Sequence, residues 1–144
     1  MFKKTDKLEE LKKMEINRIY LKETGLAMFL GGESQVSVFR AIAKRPGGTI
    51  LRAVARELHR DGNSTIAYTT IATLANKLCD KGILRREKIN MHAYRYHALF
   101  TEQEIIRQGI TYVFRLFADQ FPNDLEYTTK TLLHDTMKAM LKGV

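Results

Sequence analysis

The sequence predicts a mainly α-helical fold interrupted once by a small β-ribbon, and three observations predict it. Up to Gly82, apolar residues recur at helical spacing, as in Ile71, Leu74, Ala75 and Leu78. Between Leu84 and Ala98 the period drops to two. After Thr101 the helical spacing returns in Ile106, Ile110, Val113, Phe114, Phe117 and Phe121.

The elements follow in order. Residues 6–22, rich in Lys, Glu and Leu, read as a helix with Leu8, Leu11, Ile16 and Ile19 as its stripe. Gly25, Gly31 and Gly32 punctuate the stretch up to Glu33. A helix over about 33–44 presents Val38, Phe39 and Ile42 and stops before Pro46-Gly47-Gly48. Thr49 suits the N-cap of a helix over about 50–60, whose Ile50, Val54 and Leu58 recur every fourth residue. Asp61 to Ser64 reads as a turn. The helix from Tyr68 ends at Gly82, a residue fitted to the left-handed position past a helix end, with Ile83 free to pack back. Strands Leu84–Lys88 and Ala93–Ala98 flank a turn at Asn90-Met91. The next helix runs to Phe121, Pro122-Asn123-Asp124 breaks it, and a last helix covers about 124–142.

Three helices, a ribbon and two further helices form the order of a winged helix–turn–helix followed by two C-terminal dimerisation helices. The expected parts are an N-terminal helical extension (1–25), a winged-helix DNA-binding domain (26–100) and a helical dimerisation region (101–144). The helix at Tyr68 would be the one to enter a major groove.

Composition supports a globular chain. Of 144 residues, 44% are hydrophobic, enough for a core without crosslinks. The single cysteine, Cys79, excludes an internal disulfide and a thiolate zinc cluster, and points to a reducing compartment. No apolar run approaches the roughly 18 residues that span a bilayer. The basic start, Met1 to Lys13, has no apolar signal region. A cytoplasmic location without membrane contact is the expectation. The net charge of +8 is concentrated, with twelve Lys/Arg against four Asp/Glu in residues 40–97 and five against six in 98–144. A basic head joined to a near-neutral apolar segment suggests polyanion binding coupled to assembly.

The segment Tyr68-Thr69-Thr70-Ile71-Ala72-Thr73-Leu74-Ala75-Asn76-Lys77-Leu78, closed by Lys81-Gly82, resembles the recognition helix of the penicillinase-repressor family. Leu84-Arg85-Arg86-Glu87 with Ala93-Tyr94-Arg95-Tyr96 resembles that family's wing, and Leu30-Gly31-Gly32-Glu33 is similar to its start. The likeness covers about residues 30–121. It implies a cytoplasmic dimeric repressor that binds a palindromic double-stranded DNA operator through the winged helix and pairs through its C-terminal helices. Three features depart from the family. Asn90-Met91-His92 stands where a wing-tip glycine is usual. The C-terminal cysteine cluster of the copper-sensing branch is missing. Arg115-Leu116-Phe117 occupies the stretch where the β-lactam branch carries its Asn-Phe cleavage pair. The inducer, and any regulatory protease, stay open.

With Ile71, Leu74 and Leu78 turned inward, Tyr68, Thr69, Thr70, Thr73, Asn76 and Lys77 form the expected DNA-reading side. Thr and Asn can bond base edges, and Lys can reach guanine or phosphate. Backbone contacts are expected from Thr49, Arg52, Arg85, Arg86, Lys88 and Arg95. Tyr94 and Tyr96 alternate with Arg95 and are expected to pack inward. The expected dimer interface comprises Ile106, Ile110, Val113, Phe114, Phe117, Phe121, Leu125, Leu132, Leu133, Met137, Met140 and Leu141. That is more apolar surface than two appended helices can cover alone. His59, His92, His97 and His134 are scattered, and Ser34, Ser37 and Ser64 lack a nucleophile-elbow context. No catalytic, metal or cofactor site is expected, and the chain reads as a sequence-specific transcriptional regulator rather than an enzyme. Two rival readings are a winged-helix regulator sensing a small ligand between wing and dimerisation helices, and a winged-helix protein-interaction module. The basic head argues against the second.

Overall fold

The computed structural model describes residues 25–60 and 66–120, with Phe117 and Gln120 by their backbone alone. It also describes Met14, Ile19, Tyr20, Lys22, Glu23, Thr131, His134, Asp135, Lys138, Ala139 and Lys142. Of the helix expected over 6–22, Met14, Ile19, Tyr20 and Lys22 are described and none is helical. The Tyr20 N–H donates instead to the Met28 carbonyl at 2.9 Å, so the expected helix does not extend through Ile19 and Tyr20. The other residues of 6–22 and the turn at Asp61 to Ser64 lie outside the described residues, as does most of the helix expected over 124–142. The six described positions from Thr131 onward are helical and exposed. Two units divide the chain, Met1–Gly109 and Ile110–Val144.

The element order is α1 (Ala27–Leu30), α2 (Glu33–Ala43), α3 (Leu51–Arg60), α4 (Tyr68–Asp80), β1 (Leu84–Asn90), β2 (Ala93–Ala98) and α5 (Glu102–Gln120). This is a winged helix–turn–helix: α2 to α4 pack around one core and the β1–β2 hairpin forms the wing. Phe39 and Ile42 of α2 and Ile71 and Leu78 of α4 are fully buried, with Val54 and Leu58 of α3 beside them. Each such side chain contributes roughly 1.5–3 kcal/mol by leaving water. The guanidinium of Arg40 on α2 grips Glu102 at the start of α5 through two hydrogen bonds of 2.7 and 3.3 Å.

The start of α3 corrects the expected cap. Thr49 does not cap the helix; it forms an isolated antiparallel bridge with Tyr96. Its N–H donates to the Tyr96 carbonyl at 3.0 Å, and the Tyr96 N–H donates back at 2.8 Å. With its carbonyl taken by Tyr96 and its hydroxyl turned to the Ile50 carbonyl at 3.4 Å, Thr49 accepts no N–H from the first turn. Ala53 and Val54 both donate to the Ile50 carbonyl, so the helix begins one residue later. The buried stripe is therefore Leu51, Val54, Ala55 and Leu58, and Ile50 is left 40% exposed.

The end of α4 follows expectation. Gly82 adopts φ +74°, a conformation that costs a side-chain-bearing residue but not glycine. There its N–H reaches the Cys79 carbonyl, while the Ile83 N–H reaches that of Leu78, both at 3.0 Å. Two orphan carbonyls are satisfied and Ile83 is folded into the core.

In the wing, Leu84 pairs with Ala98, Arg86 with Tyr96 and Lys88 with Tyr94, antiparallel. A register shift between Lys88 and Asn90 adds Ile89 as an extra residue, and β1 runs two residues past its expected end. No glycine is needed at the tip, because the Asn90 side-chain oxygen accepts the His92 N–H at 2.9 Å. Among the described residues, no non-glycine has positive φ.

Thr101 caps α5, its hydroxyl oxygen accepting the Glu104 N–H at 3.2 Å. Within the first unit this helix buries Ile105 fully, whereas Ile106 is only partly covered. Gly109 lies against the Phe29 ring so closely that a methyl group there would overlap it. Among the described residues, no helix is long and apolar enough to cross a membrane.

Candidate nucleic-acid interface

Helix α4 presents one side to solvent because its other side carries Ile71, Ala75 and Leu78 into the core. Tyr68, Thr69, Thr70, Thr73 and Lys77 are all exposed, Tyr68 by 50%. Ala67 enters the helix in an extended conformation with no side-chain cap, so the first-turn N–H groups are not spent on a capping side chain. The Thr73 hydroxyl donates to the Thr69 carbonyl at 2.9 Å. That bond uses its proton and leaves its oxygen lone pairs and methyl group facing out. Thr73 can therefore accept from an adenine or cytosine amino group, or touch a thymine methyl, but cannot donate.

Asn76 departs from its expected role. It is half-buried, and its side-chain oxygen accepts from Arg86 Nη1 at 2.9 Å and from Tyr96 Oη at 3.1 Å. It joins α4 to the wing rather than standing free to read a base. Arg86 is correspondingly turned toward the helix, and its guanidinium also lies 5.1 Å from the Tyr94 ring centre.

The other wing cations divide by whether they have an acidic partner. Arg85 and His97 approach the Glu87 carboxylate at 3.8 and 3.1 Å. Lys88 and Arg95 are exposed and make no ion pair among the described residues. Tyr96 is buried at 3%, whereas Tyr94, nearer the tip, is 38% exposed. Only one of the two tyrosines therefore packs inward as expected. Thr49, at 6% exposure and engaged with Tyr96, is not available to a phosphate. Arg52 is exposed. It lines a cleft of about 490 Å³ together with Ile50, Tyr68, His92 and Tyr94, between the starts of α3 and α4 and the wing.

Sequence reasoning passed over Tyr94 and His92 as part of this surface. Both line the cleft with Ile50, Arg52 and Tyr68, residues distant in sequence that alternation alone does not bring together. His92 lies in the turn itself and not on a strand.

Burial raises the Cys79 thiol to about 11, so it stays protonated near neutrality. Burial likewise raises the Tyr96 phenol, with nearby Arg86 opposing the rise. Among the described residues, no three His, Cys, Asp or Glu side chains converge as a metal site would require. His59 instead meets the Ile66 carbonyl at 3.0 Å.

The family model described as penicillinase repressor matches residues 31–139. Among solved structures, the complex structure of hsRosR-S1 is similar at 14% identity and a TM-score of 0.44, covering 75% of this chain and 93% of that one. The crystal structure of MarR is similar at 21% identity and a TM-score of 0.43, covering 78% and 82%. No curated protein matches the chain.

Proposed function

The chain belongs to the penicillinase-repressor family, and from that membership we propose that it is a cytoplasmic repressor binding a palindromic DNA operator as a homodimer. The observation that carries this reading is the uncovered side of α4, Thr69, Thr70, Thr73 and Lys77, with Arg52, Lys88 and Arg95 exposed around it. Thr73 and Lys77 read bases; the surrounding cations hold phosphates and position the helix without specifying sequence. Residues 1–25 serve as an extension, 26–100 as the DNA-binding part and 101–144 as the pairing part. Ile110 and Leu116, 47% and 44% exposed, support a pairing role for the last part, since such residues are covered when two copies meet. A twofold pair places its half-sites about one helical turn, roughly 34 Å, apart or a multiple of that.

Fluorescence anisotropy of the full chain with duplex DNA over a salt series tests the reading. Each phosphate neutralised contributes about −0.9 to the log–log slope, so several cations per subunit give a steep fall. Affinity indifferent to salt, or a monomer in sedimentation of the full chain, rejects it.

A further inference from the structure

A second concentration of positive charge lies away from the recognition helix and wing. Lys44 and Arg45, at the end of α2, face Ala53, Arg56, Glu57 and Arg60 of α3 across a cleft of about 540 Å³. Four cations and one carboxylate line it. That carboxylate is committed, since Glu57 holds the Lys44 ammonium at 2.8 Å and thereby braces one wall. Arg45, Arg56 and Arg60 are exposed, and their guanidiniums have no ion-pair or hydrogen-bond partner among the described residues. Their position contrasts with that of Arg40, held by Glu102, and Arg86, held by Asn76. None of the six residues lines the cleft beside the wing.

We propose that this α2–α3 cleft is a second anion site, taking a ligand that presents two or more phosphate groups. Three guanidiniums around one concavity repel each other in the empty protein and are relieved by a multivalent anion. A concave basic surface also focuses the field and raises local anion concentration. The guanidinium fork matches phosphate oxygens two at a time, which a solvated lysine face does not do. The small Ala53 leaves room between the arginines, and the volume falls within the range of about 300–1,000 Å³ usual for ligand sites. The phosphates could be those of a free polyphosphorylated small molecule or of a nucleic-acid backbone running past the operator half-site. The site does not depend on the operator reading, because its first test contains no DNA.

Calorimetric titration of the full chain with inorganic tripolyphosphate reads the site directly. One binding event is expected, weakened at least about tenfold in the Arg56→Ala/Arg60→Ala double variant and changed less than about twofold in Lys77→Ala/Arg95→Ala. Both pairs are exposed, so melting curves should overlay that of the parent. A second arm compares a short duplex with one extended by about one helical turn at each end. If the double variant loses only the extra affinity of the longer duplex, the phosphates in use are those of flanking DNA. If it loses tripolyphosphate alone, they belong to a free ligand. Tripolyphosphate binding weakened equally by both pairs, or no effect of Arg56 and Arg60 in either arm, overturns the proposal. Loss of all duplex binding by the parent would reject the operator reading and leave the first arm standing.

Discussion

The side-chain oxygen of Asn76 accepts a hydrogen bond from the Arg86 guanidinium at 2.9 Å, tying the third turn of α4 to the first strand of the wing. The same oxygen holds Tyr96 from the second strand. Helix and hairpin therefore present their exposed residues in a fixed mutual geometry. Asn76→Ala and Arg86→Ala should each cost about 0.5–1 kcal/mol, the modest value reflecting solvent access to the guanidinium. Denaturant titrations of both singles and the double should give a coupling of at least about 0.5 kcal/mol. Strict additivity would mean that the bond does not join the two elements.

DNA affinity should divide between two groups of residues. Thr73→Ala should narrow the gap between operator and random duplex by about 1–3 kcal/mol if the contact is a good one. Lys88→Ala and Arg95→Ala should weaken both DNAs about equally, and each should reduce the salt slope by about one phosphate. Competition anisotropy on the two DNAs distinguishes these outcomes. The reverse assignment, with specificity lost at Arg95 and untouched at Thr73, would mean that α4 does not read the groove.

Gly109→Ala should destabilise the protein although alanine is the better helix former. Helix propensity alone favours the change by about 1 kcal/mol. The added methyl meets the buried Phe29 ring, and forcing atoms into a packed core costs about 1–3 kcal/mol. A lower melting midpoint is expected, with recovery in the Phe29→Leu background. A raised midpoint in the single variant would show that the ring moves aside freely.

Stability should fall on the alkaline side. Burial raises both the Cys79 thiol, to about 11, and the Tyr96 phenol. The unfolded chain therefore loses these protons first, and unfolding is favoured from about pH 9 upward as the unfolded thiol ionises. Below that pH both states keep the protons and neither group contributes a slope. Cys79→Ala should flatten the first part of the decline in denaturant midpoints measured from pH 8 to 11. An unchanged slope would place the effect elsewhere.

Much of the fold is legible in the sequence because local signals agree with packing. Ile71, Ala75 and Leu78 share a face, Gly82 ends their helix, and both features appear in the structure. The exposed positions of α4 follow from that face by subtraction. What is not legible depends on partners distant in sequence. Thr49 looks like a helix cap until Tyr96, far along the chain, claims its backbone as a strand. Asn76 looks like a base reader until the wing returns Arg86 and Tyr96 to it. The cleft of Arg45, Arg56 and Arg60 arises only when α2 and α3 are brought side by side.

The bridge between Thr49 and Tyr96 also determines which border of the wing stays open. It covers part of the outer side of β2, so among the described residues β1 is the strand whose border is left to accept another strand. Such a border invites edge-to-edge addition and aggregation, and charged side chains are a common defence. Here β1 carries Arg85, Arg86, Glu87 and Lys88 in succession. A second copy approaching antiparallel would bring these mostly positive residues against their own images. The charges available for phosphates thus also discourage wing-to-wing polymerisation and favour association through other surfaces.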